Sequence, residues 1–370
     1  MLTSRFKKGH APDYIFLSGV IILVVFGLLM LSSASSDLGK IKFNDTFYYL
    51  KHQIYYGLSL GIIGFLIGAL IYYKKWQSIS IHLLLMSIFG LILVFTPLGI
   101  KSGGAARWIN IGPFSIQPAE LLKITLVIYL ADWLSNKKAN RQSSLTEGLI
   151  PFLSLLIIIS GLVILQPATT TIFIILAASL IVYFISGAKL RFIAGAILLG
   201  VLGLAVIVSI SPYRLHRVMS YFNRDAANIQ AEGYHRNQAL IAVGSGGLWG
   251  TGYGQSTTKY KFLPEPIGDS IFAVIAEELG FVGAIFTIAL FILLFIKGFL
   301  IAKNCRDDFG KLIVVGFISI IVIQTFINIG AISGILPLTG VPLPFISYGG
   351  TALAVFLTMA GIIVNISKYT

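Results

Sequence analysis

The chain has 370 residues, 56% of them hydrophobic and only 11% charged, whereas a soluble domain carries about 25% charged residues. Its net charge of +13 comes from basic residues in short clusters between apolar runs, which argues against a nucleic-acid-binding face. The single cysteine, Cys305, excludes an intramolecular disulfide and a cysteine-based metal site.

Ten apolar stretches are long enough to cross a membrane as helices, which takes about 20 residues. They predict an all-α integral membrane protein with about ten transmembrane helices in one polytopic domain, residues 1–370. The apolar core of the first stretch is too long for a signal peptide, which has roughly 7–15 residues there. The stretches are Tyr14–Leu31, Ile54–Tyr72, Ile79–Phe95, Pro118–Trp133, Leu149–Leu165, Thr169–Ile185, Phe192–Ile210, Asp269–Ile301, Leu312–Ser333 and Phe345–Ile366.

The distribution of basic residues predicts the orientation of these helices. With the N-terminus inside, the inner segments hold 15 Lys and Arg residues and the short outer loops hold 5. Basic residues accumulate on the cytoplasmic side of membrane proteins. The sequence therefore predicts a multi-pass protein of the cytoplasmic (inner) membrane with both termini in the cytoplasm.

One long connection, Ser211–Gly268, falls between the seventh and eighth predicted helices, outside the cytoplasm; we call it the outer loop. It is rich in glycine and carries six basic residues against three acidic ones. An ordered basic loop at a membrane surface indicates an anionic substrate, phosphate above all. Attraction to anionic lipid headgroups explains the same charge equally well.

The glycine run Gly244–Gly254 lies within the outer loop. Gly247 and Gly252 have Walker A spacing, but Tyr253 stands where that motif requires lysine, which excludes a nucleotide-binding loop. Closely spaced glycines let backbone amides approach a phosphate. Tight turns packed on the helix ends are at least as good an explanation.

Ionisable residues inside apolar helices are costly and therefore suggest function. Glu120 and Lys123 share one helix face, either as a functional pair or as a self-neutralising structural one. Asp269 opens an apolar stretch, where it can serve as helix cap, as catalyst or as both. Glu277 and Glu278 lie deeper in the same stretch, where a proton path or an interhelical hydrogen bond is the competing role.

At these residues the chain resembles the SEDS family (shape, elongation, division and sporulation) of the FtsW and RodA type, and more closely the FtsW branch. The resemblance covers nearly the whole chain, in order and with family spacing. The matching motifs are Arg107-Trp-Ile109, Gln117-Pro-Ala-Glu120 with Lys123, Tyr213-Arg214 with Arg217, Gly244–Gln255, Leu263-Pro-Glu-Pro266, Asp269, Phe272–Gly280 and Leu336–Gly350.

Several positions depart from the family pattern. An acidic residue is expected where this chain has Ala168, so a carboxylate role at that position is in doubt. An aromatic residue usually follows the key aspartate, and here Ser270 stands there. The sequence Gly349-Gly-Thr-Ala352 replaces a Gly-Gly-Ser-Ser pattern.

The resemblance implies an inverting glycosyltransferase that polymerises lipid II outside the cytoplasm. Its partners would be a class B penicillin-binding protein and other divisome or elongasome membrane proteins. Lipid II carries its sugar on a pyrophosphate, so the leaving group is good and the transfer needs one general base. A glycoside hydrolase needs a second carboxyl group to protonate a poor leaving group. Basic side chains or a divalent cation, Mg²⁺ or Mn²⁺, would stabilise the pyrophosphate.

We therefore predict that Asp269 is the general base. Lys123, oriented by Glu120, and Arg107 are candidates for the pyrophosphate, together with basic residues of the outer loop. The full set of predicted substrate-binding residues is Arg107, Trp108, Gln117, Glu120, Lys123, Arg214, Arg217, Gln238, Gly246, Gly247, Lys259, Glu277, Ser347, Gly349 and Gly350.

Two other classes of function compete with this interpretation. A transporter that flips lipid II would use the same basic cavity and buried charges, but would not need a base at the outer surface. A scaffold that only recruits a transpeptidase would explain none of the embedded charges.

The predicted topology is tested by reporter fusions. A reporter active only outside the cytoplasm is expected to be active when fused within Ser256–Lys261 and silent within Asn136–Arg141, because the two segments lie on opposite sides. The reverse pattern of activities would invert the topology and remove the outer loop from the substrate's side.

Overall fold

A computed structural model of the chain describes residues 9–102, 105–112, 114–136, 141–210, 215, 231–260 and 262–370. These residues form a helical protein with one small sheet. Two π-helical turns, Gln53–Leu58 and Leu145–Leu149, each lead directly into an α-helix. The α-helices are α1 (Tyr14–Ala34), α2 (Ser36–Phe43), α3 (Tyr48–His52), α4 (Ser59–Leu70), α5 (Lys74–Ser78), α6 (Ser80–Leu93), α7 (Pro118–Ser135), α8 (Ile150–Ile164), α9 (Thr169–Ile185), α10 (Leu190–Ile210), α11 (Ala231–Ser245), α12 (Ile271–Asn304), α13 (Asp308–Ile332) and α14 (Gly350–Ser367).

The predicted all-α, multi-pass membrane architecture is confirmed. Within the described part of the chain, seven helical runs are long and apolar enough to span a membrane: α1, α3 to α4, the π-turn with α8, α10, α12, α13 and α14. Helices α6, α7 and α9 match three further predicted stretches. However, α6 and α9 have only 14 and 17 residues, and α7 carries three charged side chains. The count of ten crossings is therefore not confirmed.

Two local features differ from the sequence prediction. The tenth predicted stretch begins at Phe345, but α14 begins only at Gly350, and the connection from Ser333 to Gly349 is not helical. Pro337, Pro342 and Pro344 within that connection lack the N–H groups that a helix needs.

The second difference is a three-stranded antiparallel sheet in the order β1-β2-β3, where the sequence suggested only a loop. Its strands are β1 (Gly99–Ser102), β2 (Ala105–Ile111) and β3 (Phe114–Ile116). Gly112 has a φ of +62° between β2 and β3, a conformation that favours glycine. Since β3 ends just before α7, the sheet fixes where that helix begins.

The core of the bundle lies around α13 and α14. In the most apolar 18-residue stretch of each helix, 67% of the residues are buried in α13 and 78% in α14, whereas 6% are buried in α10. A row of glycines lets α4 approach α14 closely: a Cβ on Gly68 would lie 2.8 Å from the backbone N of Ile362. Small residues commonly allow such contacts between membrane helices. The bundle therefore presents α13 and α14 as a rigid support for the segments between them.

The outer loop contains regular secondary structure. Helix α11 lies within it, and the glycine run and a turn lead from α11 into α12. Helix α12 is itself interrupted at Gly280, whose φ of +66° and ψ of −164° are not helical. This break lies two residues after Glu278 and shapes the contacts of the glycine run.

Candidate active site

Asp269 lies in the turn that leads into α12, two residues before that helix begins. Ser270, not Asp269, occupies the N-cap position, so of the two roles considered for Asp269 the helix cap is not the one that the structure shows. The Glu265 carbonyl closes the turn by accepting from the N–H groups of Gly268 and Ser270 at 3.0 and 3.2 Å. Ser270 Oγ donates to Asp269 Oδ1 at 3.4 Å and lies 2.6 Å from Nε2 of His235 on α11. His235 was not among the residues predicted for the site.

The turn is also held by the connection that precedes α14. Ser347 Oγ donates to the Gly268 carbonyl at 2.7 Å, and the Tyr348 N–H donates to the Ile267 carbonyl at 2.9 Å. Both acceptors lie within two residues of Asp269. The fold therefore brings the predicted residues Ser347 and Asp269 together.

Gly349 and Gly350 occupy the start of α14 beside the second membrane helix. The Gly349 N–H donates to Oε1 of the buried Gln53 at 3.1 Å. A Cβ on Gly350 would lie 3.6 Å from the Cα of Gly57. These two predicted residues thus position α14, and through it the turn at Asp269.

Glu120 and Lys123 form a buried ion pair on α7. Lys123 Nζ lies 2.6 Å from Glu120 Oε1, and both side chains are at most 5% exposed. Lys123 also donates to Gln324 Oε1 on α13 at 2.8 Å, and it lies 5.7 Å from the centre of the Phe356 ring. The pair is therefore linked to α13, and it does not face open solvent.

Two amides on α13, Gln324 and Asn328, join this pair to the site. Gln324 Nε2 donates to the Pro342 carbonyl at 2.9 Å. Asn328 Nδ2 donates to the carbonyls of Val341 and Asp269 at 2.8 and 2.7 Å. Neither amide was among the residues predicted for the site. The sequence does hold a signal for them, because they are two amide residues four positions apart in an apolar stretch.

Arg107, Trp108 and Gln117 lie on and beside the small sheet. Arg107 donates from Nε and Nη2 to the carbonyls of Gln166 and Pro167 at 2.9 and 2.7 Å. Trp108 is half-buried on β2, and the Gln117 N–H donates to a threonine hydroxyl of α14 at 3.3 Å. These contacts tie the sheet to the ends of α8 and α14.

Ala168 occupies the N-cap position of α9 and makes no capping bond. An acidic residue there, as the family pattern leads one to expect, would accept from the first turn of the helix. The carbonyl of the preceding Pro167 accepts a hydrogen bond from Arg107. The departure at Ala168 therefore removes a potential helix cap.

The glycine run packs against the break in α12. Around Gly280 four helical backbone groups lose their partners within the helix and bond to the run instead. The bonds run from Thr251 N to Glu277 O (2.9 Å), Gly252 N to Glu278 O (3.0 Å), Phe281 N to Gly247 O (2.9 Å) and Val282 N to Leu248 O (3.2 Å).

This packing accounts for two of the glycines. A Cβ on Gly246 would lie 2.0 Å from the Ala276 carbonyl oxygen, and one on Gly250 would lie 2.2 Å from that of Glu278. Such distances are far inside van der Waals contact. Of the two roles considered for the run, close packing on a helix is the one that the contacts support, and phosphate binding by Gly246 and Gly247 stays a prediction.

Glu277 holds the segment that follows the glycine run. Its carboxylate is fully buried and accepts from Ser256 Oγ at 2.6 Å, from Thr257 N at 2.9 Å and from both the N–H and the hydroxyl of Thr258. These contacts are all to the protein itself. A substrate role for Glu277 stays a prediction.

Glu278 and Lys259 form a second buried ion pair. Lys259 Nζ lies 2.8 Å from Glu278 Oε1, and both side chains are at most 1% exposed. Ser33 on α1 donates to the same oxygen at 2.6 Å. The pair therefore ties the outer loop and α12 to α1, and a substrate role for Lys259 stays a prediction.

Three predicted substrate-binding residues remain. Arg214 and Arg217 fall outside the described residues, and Gln238 is half-buried on α11. Within the described ranges, no three His, Cys, Asp or Glu side chains converge as they would around a metal ion.

Comparison with known proteins gives these motifs a family context. The FTSW_RODA_SPOVE family, described as cell cycle protein, matches residues 14–370. Stage V sporulation protein E of Bacillus subtilis (strain 168) is 36% identical over 364 residues, 98% of this chain and 99% of the relative. A probable peptidoglycan glycosyltransferase FtsW of Geobacter metallireducens is also 36% identical over 364 residues, covering 98% and 96%.

Solved structures show the same architecture. One chain of a peptidoglycan synthase complex, described as coordinating polymerization and crosslinking, superposes with a TM-score of 0.79 at 25% identity. The superposition covers 97% of this chain and 99% of that one.

The packing of the glycine run is tested by two alanine substitutions. Gly246→Ala is expected to lower the thermal unfolding temperature in detergent, because overpacking typically costs about 1–3 kcal/mol. The matched control is Gly244→Ala in the same run, where a Cβ meets nothing within 4 Å and helix propensity favours alanine. Equal unfolding temperatures for the two variants would contradict the packing role.

Proposed function

This chain belongs to the FtsW, RodA and SpoVE family of cell cycle proteins, and we propose that it is a peptidoglycan glycosyltransferase that polymerises glycan strands. Its substrate is lipid II, a disaccharide-pentapeptide carried on a lipid pyrophosphate. The reaction joins this disaccharide to a growing strand and releases undecaprenyl pyrophosphate. No nucleotide is consumed, because the pyrophosphate is already the leaving group.

The observation that supports this proposal most directly is the arrangement around Asp269. The carboxylate stands where the outer loop meets an apolar helix, within reach of a sugar whose lipid tail stays in the bilayer. It takes the proton from the acceptor hydroxyl as that oxygen attacks the anomeric carbon of the donor. The bond from this carbon to the pyrophosphate oxygen breaks, and the configuration at the carbon inverts.

Basic side chains of a helix, of the small sheet and of the outer loop are the candidates that could balance the charge of the pyrophosphate. Lys123 is 2% exposed, and in this proposal it acts as a buried cation through Gln324. Arg107 holds two backbone carbonyls with its guanidinium. We therefore assign direct contact with the pyrophosphate to Arg214 and Arg217 of the outer loop. A divalent cation, Mg²⁺ or Mn²⁺, would stabilise the same negative charge.

The partner in this proposal is a class B penicillin-binding protein, which would crosslink the strands that this chain makes. The likeness to a chain of a complex that coordinates polymerization and crosslinking supports it. Relatives named FtsW favour a role in division, with other divisome membrane proteins as neighbours. The charge distribution favours the cytoplasmic membrane with both termini inside.

The base assignment is tested by Asp269→Asn. We expect polymerisation of labelled lipid II by the purified protein with its transpeptidase partner to fall about 10²–10⁴-fold, the usual effect of losing a general base. Lipid II binding and thermal stability are expected to persist, because asparagine keeps the shape of the side chain.

The matched control is Asp45→Asn, which removes an exposed carboxylate paired with Lys51 at the surface and should leave the rate unchanged. A protein that only translocates lipid II would tolerate Asp269→Asn. Near-normal glycan synthesis by that variant would therefore overturn the catalytic assignment.

The embedded pair is tested at Lys123. Lys123→Ala is expected to reduce activity more than Lys123→Arg, because it leaves the buried Glu120 without a cation, which typically costs about 3–5 kcal/mol. The double variant Glu120→Gln with Lys123→Met removes both charges and should restore thermal stability. Full polymerase activity in that folded double variant would show that the pair is structural only.

A further inference from the structure

The segment Thr339–Leu343 runs beside Asp269 without regular secondary structure. Val341 and Leu343 within it are 7% and 1% exposed, Thr339 and Pro342 are half-buried and Gly340 is exposed, so the segment is buried at its inner residues and open at Gly340. Irregular backbone at such depth persists only where the protein supplies hydrogen-bond partners. Gly340 brings the segment close to the site, since a Cβ placed there would lie 3.7 Å from Asp269 Oδ2.

Side chains of three elements supply these partners. Thr170 on α9 donates to the Thr339 carbonyl at 3.2 Å, and the Leu343 N–H donates to Ser347 Oγ at 2.7 Å. The two central carbonyls, those of Val341 and Pro342, accept from Asn328 and Gln324 on α13. The segment is therefore held along its whole length, and its centre depends on α13.

Asn328 makes the contact that matters most for the site. Its amide nitrogen donates to the Val341 carbonyl and to the carbonyl of Asp269 itself, at 2.8 and 2.7 Å. Because both partners are carbonyl oxygens, only the NH₂ end of the amide satisfies them. One group thus sets the spacing between the Asp269 backbone and the segment opposite its carboxylate.

Gln324 repeats this arrangement one helical turn away on α13. Its nitrogen donates to the Pro342 carbonyl at 2.9 Å, and its oxygen accepts from Lys123 Nζ at 2.8 Å. Lys123 in turn is paired with Glu120. The ion pair of α7 therefore orients the amide that holds the segment beside Asp269.

We propose that Asn328 and Gln324 are positioning residues for glycosyl transfer, which hold Asp269 and the segment Thr339–Leu343 at the spacing that the reaction requires. The inference rests on the proposed function, because it acts through Asp269 as the base. Neither amide touches the substrate. A displacement of a reacting group by about 1 Å costs on the order of 100-fold in rate.

Two substitutions test this inference in the full-length protein with its partner. Asn328→Leu keeps the branching and the number of side-chain heavy atoms but donates to neither carbonyl. Gln324→Glu keeps an acceptor for Lys123 but loses the donor to Pro342. We expect kcat for lipid II polymerisation to fall about 10- to 100-fold in both, while KM changes less than about threefold, because positioning affects the transition state and not lipid binding.

The matched control is Thr325→Val on the same helix. Thr325 is 6% exposed and its hydroxyl has no hydrogen-bond partner among the residues that the structure describes, so this substitution should leave kcat unchanged. If Asn328→Leu does not fold, Gln324→Glu carries the test alone. Wild-type kcat in Gln324→Glu, or in folded Asn328→Leu, would overturn the inference.

A double variant separates positioning from a purely structural role. On the Asp269→Asn background, Asn328→Leu should cause no further loss of the residual rate, because there is no longer a base to position. An equal loss on both backgrounds would show a structural role and overturn the inference. Normal activity of Asp269→Asn alone would instead refute the proposed base, which distinguishes the two failures.

Discussion

The arrangement of this protein depends on one constraint: backbone N–H and C=O groups inside a membrane protein must find partners within the protein. The chain leaves helical geometry at the break around Gly280 and in the connection from Ser333 to Gly349. At Gly280 the glycine run replaces the lost helical bonds with its own backbone. In the connection before α14, buried amides and hydroxyls of α9 and α13 do so. Both irregular regions flank Asp269, so the groups that satisfy the backbone also determine the geometry of the site.

The buried charges follow the same logic. Glu120 with Lys123, and Glu278 with Lys259, each pair a carboxylate with an ammonium group away from solvent. Each pair also makes a further hydrogen bond. Lys123 donates to Gln324, and Glu278 accepts from Ser33. Removing one partner of such a pair is costly because an uncompensated charge remains. The first pair supports α13 behind the site, and the second fixes the outer loop to α1.

Together these features suit a polymerase that works on a lipid-anchored substrate. The chemistry needs one base at the membrane surface, because the pyrophosphate is already a good leaving group. In the proposed mechanism a single carboxylate, that of Asp269, must then be held accurately. Its backbone, its neighbouring turn and the segment opposite are all tied to helices. Family membership and the likeness to a peptidoglycan synthase chain agree with this interpretation.

The sequence by itself determined the membrane class, the positions of most helices and the family, because apolar length and motif spacing are local properties of the chain. It also singled out Asp269 and the Glu120–Lys123 pair, since charges in apolar helices are conspicuous. Only the tertiary structure decided that the glycines pack on a helix break, that Glu277 holds a loop, and that Gln324 and Asn328 reach the site. Those roles depend on which groups a buried backbone meets across the bundle, and contacts between residues as far apart as Asn328 and Asp269 leave no periodic signal in the sequence.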